Sequence, residues 1–404
     1  MRYLVFLFIF ALAGCAQLSG SSSGEAPQDD NEPGKEAAVS GNNRFAFGFY
    51  QELKAGHNIF FSPYSISSAL AMTYTGSAGE TRREMAEVFG FLSGSRQNAL
   101  AYHQLQQHLD SFNQEDLALN VANSLWGQKD FAFQPRFLDI NGKYFSAGIK
   151  RVDFKRQHRQ VRQEINRWVE QKTNDRIQDL LSEGVLDRMT RLVLVNAIYF
   201  NGQWENPFNK DHTRPDVFYK EQDKTLEVPF MNQSLRLPYY ENDLLQMISI
   251  PYDGGDLSMV ILLPRKIDDM ARLEENLDAK WFDRHTDSLQ KQQVGLSMPR
   301  FELTLKYRLN DHLKRLGMPS AFGGKADFSG MTGRKDLYIS EAIHQAFVKV
   351  NETGTEAAAA TGVVMRKTAI VRKKSFKADH PFLFMIRDNA TNAILFMGKI
   401  TDPS

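Results

Sequence analysis

The chain has 404 residues, of which 42% are hydrophobic and 24% are charged, and its formal net charge at pH 7 is +1. Nucleic-acid binding rests on a clear excess of Lys and Arg, so this balance gives no reason to expect a nucleic-acid partner. The single cysteine is Cys15, so the folded part is expected to form without disulfides.

The first 40 residues indicate targeting and a tether. Arg2 precedes an apolar run over 3–13 that has the length of a signal peptide and is too short to predict a transmembrane helix. The run ends in LAGC, which resembles the lipobox of bacterial lipoproteins. This resemblance implies a signal peptide at 1–14, a lipid on Cys15, and anchoring in the bacterial cell envelope, at the outer membrane or cell surface. An ordinary signal peptide with an incidental cysteine is the alternative. Residues 15–40 are predicted to be a flexible linker because they are rich in Ser, Gly and acidic groups.

In chain order, the rest begins with helices and ends with strands. The predicted helices lie at 44–53, at 63 onward with Ser62 as cap, at 81–89, at 159–172 and at 309–316. The predicted strands lie at 59–61, 117–126, 192–200, 244–250, 257–263, 294–299, 301–305, 381–386 and 393–398. Because helices and strands are segregated, the fold class is predicted to be α+β, with 41–404 as one domain.

The most distinctive segment is GTEAAAATG at 354–362. Four alanines favour helix, but two glycines bracket them and β-branched residues flank them. Read with strand periodicity, the segment places only small side chains at the start of one face, namely Thr355, Ala357, Ala359 and Thr361. Such a segment could slide between two existing strands at little steric cost. A basic pair follows at Arg366 and Lys367, which a trypsin-like protease would cut.

Five motifs, in order and over nearly the whole folded length, resemble those of the serpin family. They are NIFFSPYS at 58–65, NAIYFNGQW at 196–204, ETGTEA at 352–357, FKADHPFLF at 376–384 and FMGK at 396–399. The resemblance implies a metastable fold of three β-sheets and about nine helices, with an exposed reactive-centre loop at about 352–376. It further implies that a protease cleaves this loop, forms an acyl-enzyme and is trapped when the loop inserts as a new strand.

The resemblance also implies roles for individual residues. Trp204 matches the breach position, and Ser62, Ser65, Asn196 and His344 match the shutter that gates the main sheet. The implied hinge comprises Glu352, Gly354, Thr355, Glu356, Ala357, Ala358, Ala359, Ala360 and Thr361. Because its inward residues are small, the sequence favours an inhibitor. A non-inhibitory serpin that acts as a binding or chaperone-like protein is the alternative.

The reactive bond is placed by two counts that disagree. The family's usual interval from the hinge glutamate points to the Thr368–Ala369 bond, whereas a count back from the Pro-Phe pair at 381–382 points near Ile370. Because a trypsin-like pocket recognises a basic residue, the Lys367–Thr368 bond is favoured. The alternatives are cuts after Arg366, Thr368, Met365 or Ile370.

The predicted partner is therefore a serine protease of trypsin-like preference, with cysteine proteases as alternative targets and a monomer as the expected state. The sequence contains no nucleophile elbow, phosphate loop, dinucleotide fingerprint or metal-ligand pair of histidines, so no enzyme activity, metal or cofactor is predicted. The cations at 366–374 and the basic run Lys155, Arg156, Arg159 and Arg162 are interpreted as solvent-facing, with polyanion binding as the alternative.

Overall fold

The structure is a computed structural model that describes residues 34–113, 117–146, 148–355 and 373–404. Pro33–Ser404 form one compact unit. Cys15, the hinge residues at 356–361 and the reactive bond at 366–369 lie outside the described residues, so these remain predictions from the sequence.

Ten α-helices occur in the described residues. They are α1 (Lys35–Leu53), α2 (Pro63–Tyr74), α3 (Gly79–Phe89), α4 (Ser95–Asp110), α5 (Pro135–Phe145), α6 (Phe154–Lys172), α7 (Met270–Asn276), α8 (Ala279–Asp287), α9 (Leu309–Arg315) and α10 (Ser329–Thr332). Three 3-10 turns lie at Lys210–His212, Ile267–Asp269 and Ser320–Phe322.

The first helix begins earlier than the sequence predicted. Its first residue is Lys35, so residues 35–40, assigned to the linker from composition, belong to the folded unit, and that boundary was wrong. The run KEAAV is rich in helix formers, and Ala38 and Val39 are buried in the core. Burial of these two side chains explains why the helix extends so far toward the N-terminus.

The strands of the described residues, again in chain order, follow the predicted positions closely in the second half. They are β1 (Ile59–Phe61), β2 (Leu117–Gln128), β3 (Ile149–Val152), β4 (Leu192–Gln203), β5 (Arg214–Glu221), β6 (Lys224–Glu241), β7 (Leu245–Pro251), β8 (Leu257–Pro264), β9 (Gln290–Pro299), β10 (Phe301–Arg308), β11 (Glu341–Val350), β12 (Gly354–Thr355), β13 (Lys374–Lys377), β14 (Phe382–Asp388) and β15 (Ile394–Ile400). The predicted α+β class is confirmed.

Within the described residues these strands form two hydrogen-bonded sheets. The six-stranded main sheet has the order β10-β11-β12-β4-β2-β3, and β11 also pairs directly with β4. The second sheet has nine strands in the order β1-β15-β14-β8-β7-β6-β9-β13, with β5 added on β6. The resemblance implied three sheets. The count differs because the 18-residue strand β6 pairs in succession with β5, β9 and β7 and so joins two groups of strands into one network.

Both faces of the main sheet are covered. The helix α2 is buried along its whole length and packs against β15, β4 and β2. On the other face, α6 buries Val161, Ile165 and Val169 in a cluster with side chains of β2, β4 and β11. None of the helices in the described part of the chain combines the length and apolarity needed to span a membrane.

Candidate functional site

The main sheet has a partly open seam between β4 and β11. The two strands pair in parallel from Val193 and Glu341 to Tyr199 and Phe347, and beyond that point β12 lies between them. Within β12, Thr355 pairs antiparallel with Val350 on one side and with Gly202 on the other. The first described residues of the predicted hinge therefore already occupy a strand position in the sheet.

The side chain of Thr355 lies in a closed, aromatic seat. Thr355 is fully buried, and its hydroxyl lies 2.7 Å from the hydroxyl of Tyr252. The ring of Tyr252 stacks on Trp204 with 4.6 Å between centroids, and burial raises the pKa of Tyr252 well above its ordinary value. The position accepts a small side chain with one hydroxyl and offers no partner for a charge.

Gly354 is required by a close approach of two backbones. A Cβ atom at this position would overlap the carbonyl oxygen of Gly202 and come within 2.7 Å of the Cα atom of Gln203. Backbone atoms of a sheet strand have little room to yield, so any side chain here would displace β12 from β4.

Trp204 holds the chain that leads into β12. Its indole N–H donates to the carbonyl of Asn351 at 3.0 Å, and its backbone N–H donates to the carbonyl of Thr353 at 2.9 Å. The backbone N–H of Phe208 donates to the carbonyl of Glu352 at 2.8 Å. Trp204 is thus placed at the entry to the seam, where the sequence predicted the breach residue.

The buried carboxylate of Glu352 fixes the start of the hinge. It accepts hydrogen bonds from Nε of Arg300 at 2.7 Å and from the hydroxyl of Thr213 at 2.5 Å. Burial alone would raise the pKa of Glu352, but the hydrogen bonds from Arg300 and Thr213 outweigh it and hold that pKa below its ordinary value. The carboxylate is therefore ionised at neutral pH and ties three separate segments together.

We expect replacement of Glu352 with alanine to loosen β12. Loss of a buried charged hydrogen bond costs about 1–3 kcal/mol, so the backbone amides of Trp204 and Phe208 should exchange hydrogen about 10-fold faster or more. Hydrogen exchange measured by mass spectrometry checks this. The matched control is Glu302→Ala, which removes a neighbouring but exposed pair with Lys349 at 2.8 Å. Equal exchange in both variants would contradict the assignment of Glu352 as the anchor.

The four predicted shutter residues meet in one buried cluster at the paired part of the seam. His344 on β11 lies in register with Asn196 on β4, and its Nδ1–H donates to the Asn196 amide oxygen. Nε2 of His344 accepts the backbone N–H of Ser62 at 3.1 Å, and the Asn196 amide donates to the hydroxyl of Ser65. The cluster links both strands of the seam to α2, so separating the strands requires breaking it.

His344 is neutral in this cluster. It is fully buried, and burial lowers its pKa to about 3. A proton on Nε2 would remove the acceptor for the Ser62 N–H, so protonation and an intact cluster exclude each other.

Sequence reasoning missed several residues that complete the site, namely Asn123, Thr213, Tyr252 and Arg300. Asn123 has a signal in hindsight, because it is a polar residue in the strand β2, and its amide oxygen accepts from Asn196. The other three reach the hinge from distant segments, and no local pattern marks them. Within the described residues, no three His, Cys, Asp or Glu side chains are grouped so that they could hold a metal ion.

The basic run on α6 is largely solvent-facing. Lys155, Arg156 and Arg159 are exposed, and Lys155 pairs with Asp130 at 2.7 Å. Arg162 is half-buried and donates to the carbonyl of Leu181 at 3.0 Å.

Comparisons with known proteins agree with this geometry. The chain is 39% identical to human Serpin B3 over 383 residues, covering 90% of this chain and 98% of the relative. It is also 39% identical to mouse leukocyte elastase inhibitor A over 388 residues, covering 91% and 100% of the two chains.

Solved structures agree as well. Uncleaved ovalbumin matches with a TM-score of 0.81 at 28% identity, covering 91% of this chain and all of that one. Serpin48 of the insect Tenebrio molitor matches with a TM-score of 0.80 at 31% identity, covering 91% of this chain and 99% of that one. The profile of the family described as Serpin (serine protease inhibitor) matches residues 40–403. The predicted serpin fold is confirmed, and the chain belongs to the serpin family.

Proposed function

We propose that this protein inhibits serine proteases of trypsin-like preference by a suicide mechanism. The observation that carries the proposal is the seat of β12, where Gly354 and Thr355 lie between β4 and β11 with only a small side chain facing inward. The names of the mouse and human relatives, leukocyte elastase inhibitor, support protease inhibition as the general activity.

In the proposed reaction, the protease serine attacks the carbonyl carbon of Lys367. The peptide bond to Thr368 breaks, the amine of Thr368 leaves with a proton, and an ester joins Lys367 to the protease. The freed end of the loop then extends β12 between β4 and β11, which must first give up their direct pairing. The protease is carried along on the ester, and its distortion prevents hydrolysis.

The energy for this movement comes from the new strand. Insertion of about a dozen residues makes on the order of ten backbone hydrogen bonds at roughly 0.5–1.5 kcal/mol each. The total is on the order of 10 kcal/mol, which is comparable to the stability of a whole domain. The small inward residues predicted at 357, 359 and 361 avoid burial costs that would cancel this gain.

Incubation with trypsin, followed by denaturing electrophoresis, tests the proposal. We expect a detergent-stable complex with the summed mass of trypsin and the acylated inhibitor, and a released peptide that begins at Thr368. A clipped inhibitor with no complex would favour the non-inhibitory alternative, for which thyroxine-binding globulin, a structural relative at 30% identity, is a precedent by name.

The choice of Lys367 makes a separate prediction. Lys367→Ala should slow trapping of trypsin by about 100-fold or more, because loss of a buried charged pair at a binding interface costs about 2–5 kcal/mol. Arg366→Ala is the matched control and should change the rate less than about 10-fold. Stopped-time gels give both rates. The reverse order of effects would move the reactive bond to Arg366–Lys367.

We also propose that Cys15 carries the lipid that anchors the protein to the bacterial cell envelope. The LAGC sequence at 12–15 supports this proposal. Incorporation of labelled palmitate by the wild type and its loss in Cys15→Ala would be the expected result. Labelling that is equal in both proteins would contradict it.

A further inference from the structure

A cavity lies at the edge of the main sheet formed by β2 and β3. Its volume is about 420 Å³, within the range that holds small organic ligands. Its apolar lining includes Met72 of α2 and Leu119 and Val121 of β2, and the last turn and a half of α6 contributes Trp168 and Lys172. The seat of β12 is built from other residues, so this cavity is a separate site.

The cavity has a cationic side. The ammonium of Lys150 on β3 lies 4.4 Å from the ring centroid of Trp126 and 4.7 Å from that of Trp168. Within the described residues, Lys150 makes no salt bridge, although it is half-buried. Burial lowers the pKa of Lys150; nearby Glu164 opposes that shift, and Lys172 adds to it. A partly desolvated cation that has only aromatic faces as partners is a position where an added anion is stabilised.

The wall formed by α4 does not offer a second strong charge. It contributes Asp110, whose pKa is raised by burial although the side chain of Gln106 donates a hydrogen bond to it. Tyr64 also lines the cavity and is neutral, because burial raises its pKa. The cavity therefore combines a cationic side, an apolar middle and a weakly charged polar wall, which fits an anionic head group on an apolar body.

The same cavity contacts the shutter cluster. Asn123 lines the cavity, and its amide oxygen accepts a hydrogen bond from Asn196, the partner of His344. Trp168 belongs to α6, whose inner face packs on the strands that must separate for insertion. An occupant would thus contact β2, α2 and α6 together.

We propose that this cavity binds a small amphipathic carboxylate, with its head group at Lys150 and its body against Met72, Leu119 and Val121. Occupation restrains opening of the seam through Asn123 and α6. The binding claim stands on the cavity alone, whereas the effect on opening rests on the proposed inhibitory function.

Calorimetric titration with octanoate tests the binding claim. The wild type should bind octanoate at least about 10-fold more tightly than neutral octanamide, because only the carboxylate gains from Lys150. Lys150→Met keeps an apolar stem of similar length and should abolish that preference. Lys129→Met removes a surface lysine that is paired with Asp153 at 3.0 Å, and it should bind octanoate as the wild type does.

A second variant keeps the test decisive if Lys150→Met folds poorly. Leu119→Trp fills the cavity and leaves the charges in place, so it should abolish binding of octanoate and octanamide alike. The proposal is overturned if octanoate does not bind the wild type, or if either variant binds it with unchanged affinity.

The effect on opening is measured with trypsin on denaturing gels. Saturating octanoate should lower the ratio of covalent complex to clipped inhibitor at least about 2-fold in the wild type and leave it unchanged in Lys150→Met. Absence of any complex without ligand would contradict the proposed function and leave the binding claim standing. Binding with an unchanged ratio would overturn the coupling to the seam.

Discussion

Replacing Thr355 with arginine should convert the inhibitor into a substrate. Thr355 is fully buried against Tyr252 and Trp204, and within the described residues no carboxylate lies in hydrogen-bonding contact with this seat to pair with a guanidinium. Burying an unpaired charge costs several kcal/mol, so the strand cannot lock in place before the ester is hydrolysed. On denaturing gels, the covalent complex with trypsin should fall at least about 10-fold while cleavage of the loop continues.

The control is arginine at the next position. Strand periodicity places Glu356 on the opposite face from Thr355, so Glu356→Arg adds the same side chain where the inserted strand does not bury it in the core. This variant should retain most of the wild-type yield of complex. Wild-type yield from Thr355→Arg would contradict insertion as the step that traps the protease.

Acid should weaken the closed main sheet through His344. Its pKa is about 3 in the folded protein and about 6.5 in an unfolded chain, so the unfolded state binds the proton more readily. The stabilising contribution of neutral His344 is complete above about pH 6.5 and is lost as the pH falls toward 3. At pH 5 the loss amounts to about 2 kcal/mol. The observable result is a lower free energy of unfolding in urea, and a faster spontaneous loss of inhibitory activity, at pH 5 than at pH 7.

The variant His344→Gln separates this residue from the carboxylates. Glutamine can donate to Asn196 and accept from Ser62 but does not titrate. We therefore expect a flatter dependence on pH between 7 and 5 in the variant, whatever its stability at pH 7. The same slope in both proteins would show that other groups cause the acid sensitivity.

Much of the site could be predicted from sequence because its residues sit in regular, strongly patterned elements. Ser62 caps a helix that begins with proline, Asn196 interrupts an almost continuous apolar strand, and the structure joins both to His344. The resemblance supplied the pairing of these segments, since a local pattern carries no information on contacts across more than one hundred residues.

The rest required three dimensions. Tyr252 and Arg300 lie just outside strands, where nothing in the sequence shows that they face the hinge. Helices α4 and α5 were not predicted, because their polar residues and weak caps resemble those of loops. The start of α1 was missed for a related reason, since burial of Ala38 and Val39 depends on tertiary packing.

Thermal unfolding before and after cleavage of the loop tests the central claim most directly. If cleavage lets the loop extend β12 between β4 and β11, on the order of ten new hydrogen bonds should raise the unfolding midpoint by more than about 10 °C. Thr355→Arg, cleaved in the same way, should show little or no rise. A midpoint in the cleaved wild type that is unchanged or lower would contradict the account.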